Sequence, residues 1–202
     1  SVSTVLIFAA NGMLIWLLAK AGTIEIYGDV AERGWAWWWA SLVLIIVAHD
    51  AWFYWTHRAL HHPRWFRAVH GRHHASMHPT PWAAYSFALP EALVMAVFMP
   101  LWLAIVPTPA WVTFTFLAIM ILRNTMRNAG LELHARGWAS HPVLKWISTT
   151  THHDLHHAGS FSHNFGFYFT WWDKMMGTEN PDYVATYNRV TATARQPHAE
   201  GI

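Results

Sequence analysis

The sequence predicts an all-α, multi-pass membrane protein with about four transmembrane or membrane-embedded helices and a cytoplasmic histidine-rich helical cap. Three observations carry this expectation. Of 202 residues, 54% are hydrophobic and only 12% are charged, about half the ~25% charged share of ordinary globular domains. The apolar residues gather in runs long enough for a hydrocarbon core about 30 Å thick. Most of the 16 histidines fall between or after those runs. Such a composition argues against a soluble globular domain and against an intrinsically disordered chain. With no Cys, disulfide scaffolds, iron–sulfur clusters and thiolate zinc sites are excluded. The net charge of +2 is small, and no basic stripe with interleaved aromatics appears, so nucleic acid is not an expected partner.

The elements follow in order. Val2 to Ala19 is apolar apart from Ser3, Thr4 and Asn11, enough for one crossing. It lacks a cationic flank and a small-residue cleavage site, so it is expected to stay in the mature protein. Lys20 to Arg33 is polar, with Gly22, Gly28 and the following Gly34 as breakers. Trp35 to Trp55 is a second span, with Trp37, Trp38 and Trp39 suited to one interface and Trp52, Tyr54 and Trp55 to the other. Residues 56–82 are polar and rich in His. Ala83 to Val106 and Ala110 to Leu122 are apolar again, separated by Pro107-Thr108-Pro109. The last of these runs is short for a crossing, so two tilted helices and a re-entrant hairpin both fit; either returns the chain to the side it left. From Glu179 onward the polar composition reads as a solvated tail, and the length suits a single domain over 1–202.

Charge orients the spans. Lys20 and Arg33 are the basic residues between the first two runs, and the Pro107 turn has none. The other eleven of the 13 Lys and Arg begin at Arg58 and lie on the face reached after the second span. The positive-inside rule makes that face cytoplasmic, and every His cluster falls on it. The short polar portion and the absence of a retention signal point to a bacterial inner membrane.

Three clusters stand out: His57-Arg-Ala-Leu-His61, His70-Gly-Arg-His73-His74 and His153-Asp-Leu-His156-His157. On a helix, positions i, i+3 and i+4 share a face, so each cluster can aim two or three imidazoles at one point. At this His content an HxxHH pattern is expected by chance ~0.1 times in the chain, and two of them ~0.005 times. Neutral imidazole suits iron, zinc, copper or nickel. The eight clustered ligands exceed the needs of one metal and fit two ions better.

The run Asp50-Ala-Trp-Phe-Tyr54-Trp55-Thr-His57-Arg58-Ala-Leu-His61, with the two HxxHH clusters that follow, resembles the fatty acid hydroxylase/sterol desaturase superfamily of membrane proteins. Asn164-Phe-Gly166 and Trp172-Asp173-Lys-Met-Met-Gly177-Thr178 are similar to that family's N-[YF]-G and W-D-x-x-x-G-T signatures. So is Pro79-Thr-Pro-Trp-Ala-Ala-Tyr-Ser, running to Pro90-Glu91. The resemblance covers about Asp50 to Thr178. It implies a cytoplasmic cap of His holding two iron ions that use O₂ and two electrons to hydroxylate or desaturate a lipid C–H. The implied ligands are His57, His61, His70, His73, His74, His153, His156 and His157, with His134 as the best candidate for a ninth. Asn128 stands where some relatives place a His; Asn128, His78 and His152 are reserve ligands.

Carbon–hydrogen oxidation lies beyond side-chain acid–base chemistry and must be carried by the metal. Acceptors are then needed to orient the imidazoles, and Asp50, Glu132, Asp154 and Asp173 are the acids so placed, joined by Tyr54 and Asn164 from the matching motifs. Asp50 and Glu91 sit at the ends of apolar spans, where an ionisable group marks a functional site or pairs with a nearby Arg. The substrate is expected to be an apolar lipid (fatty acyl, sterol or related) entering from the bilayer. No nucleotide, flavin or haem motif is present, so electrons are expected from a separate ferredoxin, cytochrome or reductase. Arg64, Arg67, Arg72, Arg127 and Lys145 offer that donor a basic face. Hydroxylation is the central expectation, desaturation its sibling on the same scaffold. A non-catalytic metal transporter or store is the alternative, as is a bis-His haem carrier. A transport path needs ionisable groups through the spans, and few occur there. Zinc in a purified sample would read as substitution, since imidazole sites take both ions.

Overall fold

The computed structural model describes residues 2–75, 80, 84–85, 87–158 and 161–193. The protein is mostly helical, and it forms two compact units: residues 1–75 with 85–123, and residues 76–84 with 124–202.

The first unit holds α1 (Val2–Lys20), α2 (Gly34–Leu60), the short α3 (Pro63–Val69), α4 (Leu89–Ile105) and all but the last turn of α5 (Ala110–Arg127). By length and composition α1 and α2 can each cross a membrane, and α4 is a shorter apolar helix. The apolar run that ends at Leu122 continues as helix to Arg127, giving α5 18 residues, or ~27 Å at 1.5 Å per residue. The arm that looked short is therefore as long as its 17-residue partner α4; the run marks where apolar composition stops, not where helix stops.

Spacing of three and four residues sets the packing. On α2, Leu42, Ile45, His49, Asp50, Tyr54 and His57 are buried along one stripe, while Val43, Leu44 and Val47 face outward. His49 lies 4.9 Å from the Phe98 ring of α4 and 5.2 Å from the Phe116 ring of α5, so three helices meet there. Asn11 of α1 donates its Nδ2 to the Ala96 carbonyl of α4 at 3.0 Å. The outward faces carry large apolar side chains such as Val5, Leu6, Leu14 and Leu17, a surface that fits hydrocarbon better than water.

Two connections meet at one end of this unit. The strand β1 (Ile26–Tyr27), from the α1–α2 connection, pairs in parallel with β2 (Thr108–Pro109) between α4 and α5. Trp37 Nε1 donates to the Pro107 carbonyl at 3.1 Å. The connections poor in basic residues, assigned to one face by the sequence, are thus hydrogen-bonded to each other.

The second unit holds α6 (Thr150–Ala158), α7 (Trp171–Met175) and α8 (Tyr183–Thr193). Here the expectation of a solvated tail from Glu179 is corrected: Tyr183–Thr193 is a packed helix. Tyr183 and Tyr187 are buried against Ala139, with Trp138 and Leu155 beside them. The Tyr187 hydroxyl donates to the Ala135 carbonyl at 2.7 Å. Tyr183, Tyr187 and Thr191 recur at every fourth position and are buried, a stripe that average polarity conceals.

Candidate metal centre

The first group of imidazoles arises from a reversal of the chain after α2. His57 and His61 stand one turn apart at its end. The His62 Nδ1 accepts from the Arg64 N–H, and Pro63 opens α3, an arrangement suited to a helix start. After α3 the backbone N–H groups of His73 and His74 return to the His70 carbonyl at 3.0 and 3.4 Å. This second cluster therefore keeps helical spacing in turns just past a helix. His57 and His70 approach Nε2 to Nε2 at 3.1 Å, and His61 and His74 do the same at 3.1 Å. Ligand nitrogens of His57, His61, His70 and His74 all lie within 4.8 Å of one another. His73 stands outside this group, its ring centre 5.2 Å from that of His70.

Burial holds the His70 ring well below the usual imidazole range, at about 3, so it is neutral near physiological pH. Its Nδ1 lies 2.7 Å from Glu91 Oε1, both side chains being almost fully buried, and where Nδ1 carries the hydrogen it donates to that oxygen. That bond leaves the Nε2 lone pair facing His57, as a metal-binding imidazole requires. Tyr54 accepts from Arg58 Nη1 at 3.1 Å, and Asp50 lies fully buried on the same helix. His78 lies outside the described residues.

In the second unit, α6 buries His152, His153, His156 and His157. His153 and His157 approach Nε2 to Nε2 at 3.2 Å, one turn apart. The Arg127 guanidinium, itself buried, contacts His153 Nδ1 at 2.9 Å and lies over the Phe167 ring. This corrects its place on the exposed basic face. His156 Nδ1 donates to the His163 carbonyl at 2.6 Å. His152 is fully buried, with Nε2 3.6 Å from Asp173 Oδ2 and its ring edge-on to Tyr183. Its charged form is disfavoured first by burial, then by Arg127 and Lys174.

Glu132 is the best-connected acid. Burial pushes its carboxyl up, but the His134 ring, the Thr151 hydroxyl and the backbone N–H groups of Thr151 and His134 outweigh that and hold it at about 2. One oxygen accepts from His134 Nδ1 at 2.7 Å; the other accepts from Thr151 N and Oγ1 at 2.8 and 2.6 Å. Glu132 thereby caps the N-terminus of α6 from a distant loop. His134, the candidate ninth ligand, is bound to Glu132 and packed on Trp138, and it belongs to neither group of converging ligand atoms among the described residues. Asn128 donates Nδ2 to the Asn124 carbonyl, and its buried Oδ1 has no hydrogen-bond partner among the described residues. Burial, aided by the Glu132 charge, pushes Asp154 up to about 7. Asp173 is pushed up to about 6 by burial, against the opposing pull of Gly166, Thr178, Phe165 and Arg127.

Two residues at the clusters escape a ligand shell drawn from sequence alone. Glu91 is visible there only as an acid at a span end, and nothing in the sequence pairs it with His70. Arg127 reads as a surface cation; its position in the last turn of an apolar helix is the one signal to the contrary.

The donor set fits iron: imidazoles grouped within a few ångströms, three of the four buried, with the Glu91 carboxyl behind His70. The fatty acid hydroxylase family profile matches residues 42–178. A Delta(7)-sterol 5(6)-desaturase of Gibberella zeae is 32% identical over 76% of this chain and 46% of its own length. Another, from Aspergillus fumigatus, is 32% identical over 82% of this chain and 56% of its own. Lathosterol oxidase of Mus musculus is 28% identical over 81% of this chain and 54% of its own. The chain thus spans about half the length of these curated relatives. No solved structure matches it.

Proposed function

The chain belongs to the fatty acid hydroxylase family, and on that footing we propose that it is a membrane-bound oxidoreductase that uses O₂ and two external electrons to hydroxylate a lipid C–H. The observation that carries the reading is the convergence of His57, His61, His70 and His74, three of them buried. The proposed ligand set for two iron ions adds His73, His153, His156 and His157, with His134 the further candidate. Iron so held supplies an oxidant capable of attacking an unactivated C–H bond, which no side chain here can do alone.

The protein's own residues have definite tasks. Burial keeps His70 neutral, so no proton competes for its lone pair. Glu91 fixes the direction of that lone pair by accepting the Nδ1–H hydrogen bond. The apolar faces of α1, α2 and α4 suit a substrate that arrives through lipid. Arg64 and Arg67, exposed on α3 just before His70, suit an acidic electron carrier.

A second reading is desaturation on the same scaffold, favoured by two relatives named as sterol 5(6)-desaturases. Lipid analysis of cells with and without the gene product tests both. Substrate lipids that gain one oxygen support hydroxylation, and lipids that lose two hydrogens support desaturation. An unchanged lipid profile, with electrons and iron supplied, contradicts the oxidative reading.

A further inference from the structure

The segments Asn164-Phe-Gly166 and Trp172 to Thr178 are distant from the first imidazole group in sequence, and their polar atoms form one closed network in the second unit. Asp173 Oδ1 accepts from the Phe165 N–H and the Thr178 hydroxyl, each at 2.8 Å. Its Oδ2 accepts from the Gly166 N–H at 2.8 Å. Asn164, in the left-handed region at φ 60, donates its backbone N–H to the Thr178 carbonyl at 2.8 Å. Its Nδ2 reaches the His152 carbonyl at 2.9 Å, and its Oδ1 accepts from the Asn180 N–H at 2.8 Å. Gly166 leaves no room for a side chain: a Cβ there would fall on the Phe169 carbonyl oxygen and 2.8 Å from Asp173 Oδ2.

The network bears on His156. The residue before Asn164 is His163, whose carbonyl receives the His156 Nδ1 proton at 2.6 Å. A carbonyl can only accept, so Nδ1 must carry a hydrogen, and in the neutral ring Nε2 keeps the lone pair. We propose that Asp173 is a positioning residue: by tying down residues 164–166 it holds the His163 carbonyl where it fixes His156 in the Nδ1-protonated tautomer, ready to ligate through Nε2. Two consecutive backbone N–H groups require an acceptor on each carboxyl oxygen. Asparagine offers only one oxygen, and its amide would confront an N–H with an N–H. The aspartate touches no imidazole through this route; it acts through the backbone. The effect on metal binding rests on the di-iron reading, whereas the hydrogen-bond assignment does not.

The test uses the full-length protein, metal-free and labelled with ¹⁵N-histidine, the His156 signals being identified by their loss in His156→Ala. The wild type should carry its His156 proton on Nδ1. Asp173→Asn and Gly166→Ala should give mixed tautomers and weaken iron binding ~10–100-fold, as expected for loss of a partner behind a ligand. His163→Ala should change neither, because the acceptor is backbone. Tyr187→Phe, which loses a buried hydrogen bond elsewhere in the unit, should also leave both intact. If Asp173→Asn does not fold, Thr178→Val removes one of the three donors and should give an intermediate tautomer ratio. A wild-type proton on Nε2, or full retention on Nδ1 in folded Asp173→Asn, overturns the proposal. The expected tautomer in a protein that binds no iron would instead overturn the functional reading and leave this assignment standing.

Discussion

Glu91 and His70 are 21 residues apart in sequence and 2.7 Å apart in space, and this pair has a measurable role. Glu91→Gln keeps the shape but replaces the carboxyl with an amide, a weaker partner for the ring. Iron affinity should fall ~10–100-fold, read by competition with a chelator, while helix content stays unchanged. Glu132 makes a prediction of another kind. Its folded value of about 2 lies below its ordinary 4.5, so its contribution to stability is present above 4.5 and is lost as pH falls towards 2. Thermal melts of the metal-free protein should show Glu132→Gln destabilised by ~3 kcal/mol near neutral pH, since each tenfold change in proton affinity is worth ~1.4 kcal/mol. The two proteins should converge in acid. A constant difference across that range would mean that the carboxylate charge is not what anchors α6.

At the scale of elements, α8 is the clearest case. Tyr187 is fully buried, so Tyr187→Ala should cost about 3–5 kcal/mol, the usual loss for a buried aromatic. A melting temperature that does not move would return this segment to the status of a solvated tail. The helix escapes sequence reading because its burial rests on three positions in eleven, and the remaining residues mix Val and Ala with Thr, Asn and Arg. The His clusters are legible for the opposite reason: their spacing is the chemistry. His57 with His61 and His153 with His157 each pair across one turn, as i and i+4 on a helix must. The turn at His70–His74 shows that the spacing survives without an extended helix. Partners that depend on tertiary contact, such as Glu91 for His70 and Arg127 for His153, leave no periodic trace. His134 shows the converse: a histidine whose sequence context suggests a ligand, but which joins neither group of converging ligand atoms among the described residues.

At the scale of the whole molecule, composition makes helicity and the apolar spans legible, and hydrogen bonds between β1 and β2 bring together the two connections poor in basic residues. Charge separation along the chain also predicts how electrons arrive. If an acidic carrier docks on Arg64 and Arg67, turnover should fall steeply as salt shortens the Debye length to ~8 Å and below, and Arg67→Glu should slow it at low salt without altering the iron content. A salt-independent rate would remove that docking face.

The most direct measurement is iron per chain in protein purified from iron-supplied cells, with His70→Ala and His156→Ala alongside. Two ions per chain in the wild type, with loss of metal in both variants and retention of the fold, is the predicted result. A single ion, or variants that keep the wild-type content, would contradict the claim that these histidines hold a pair of irons.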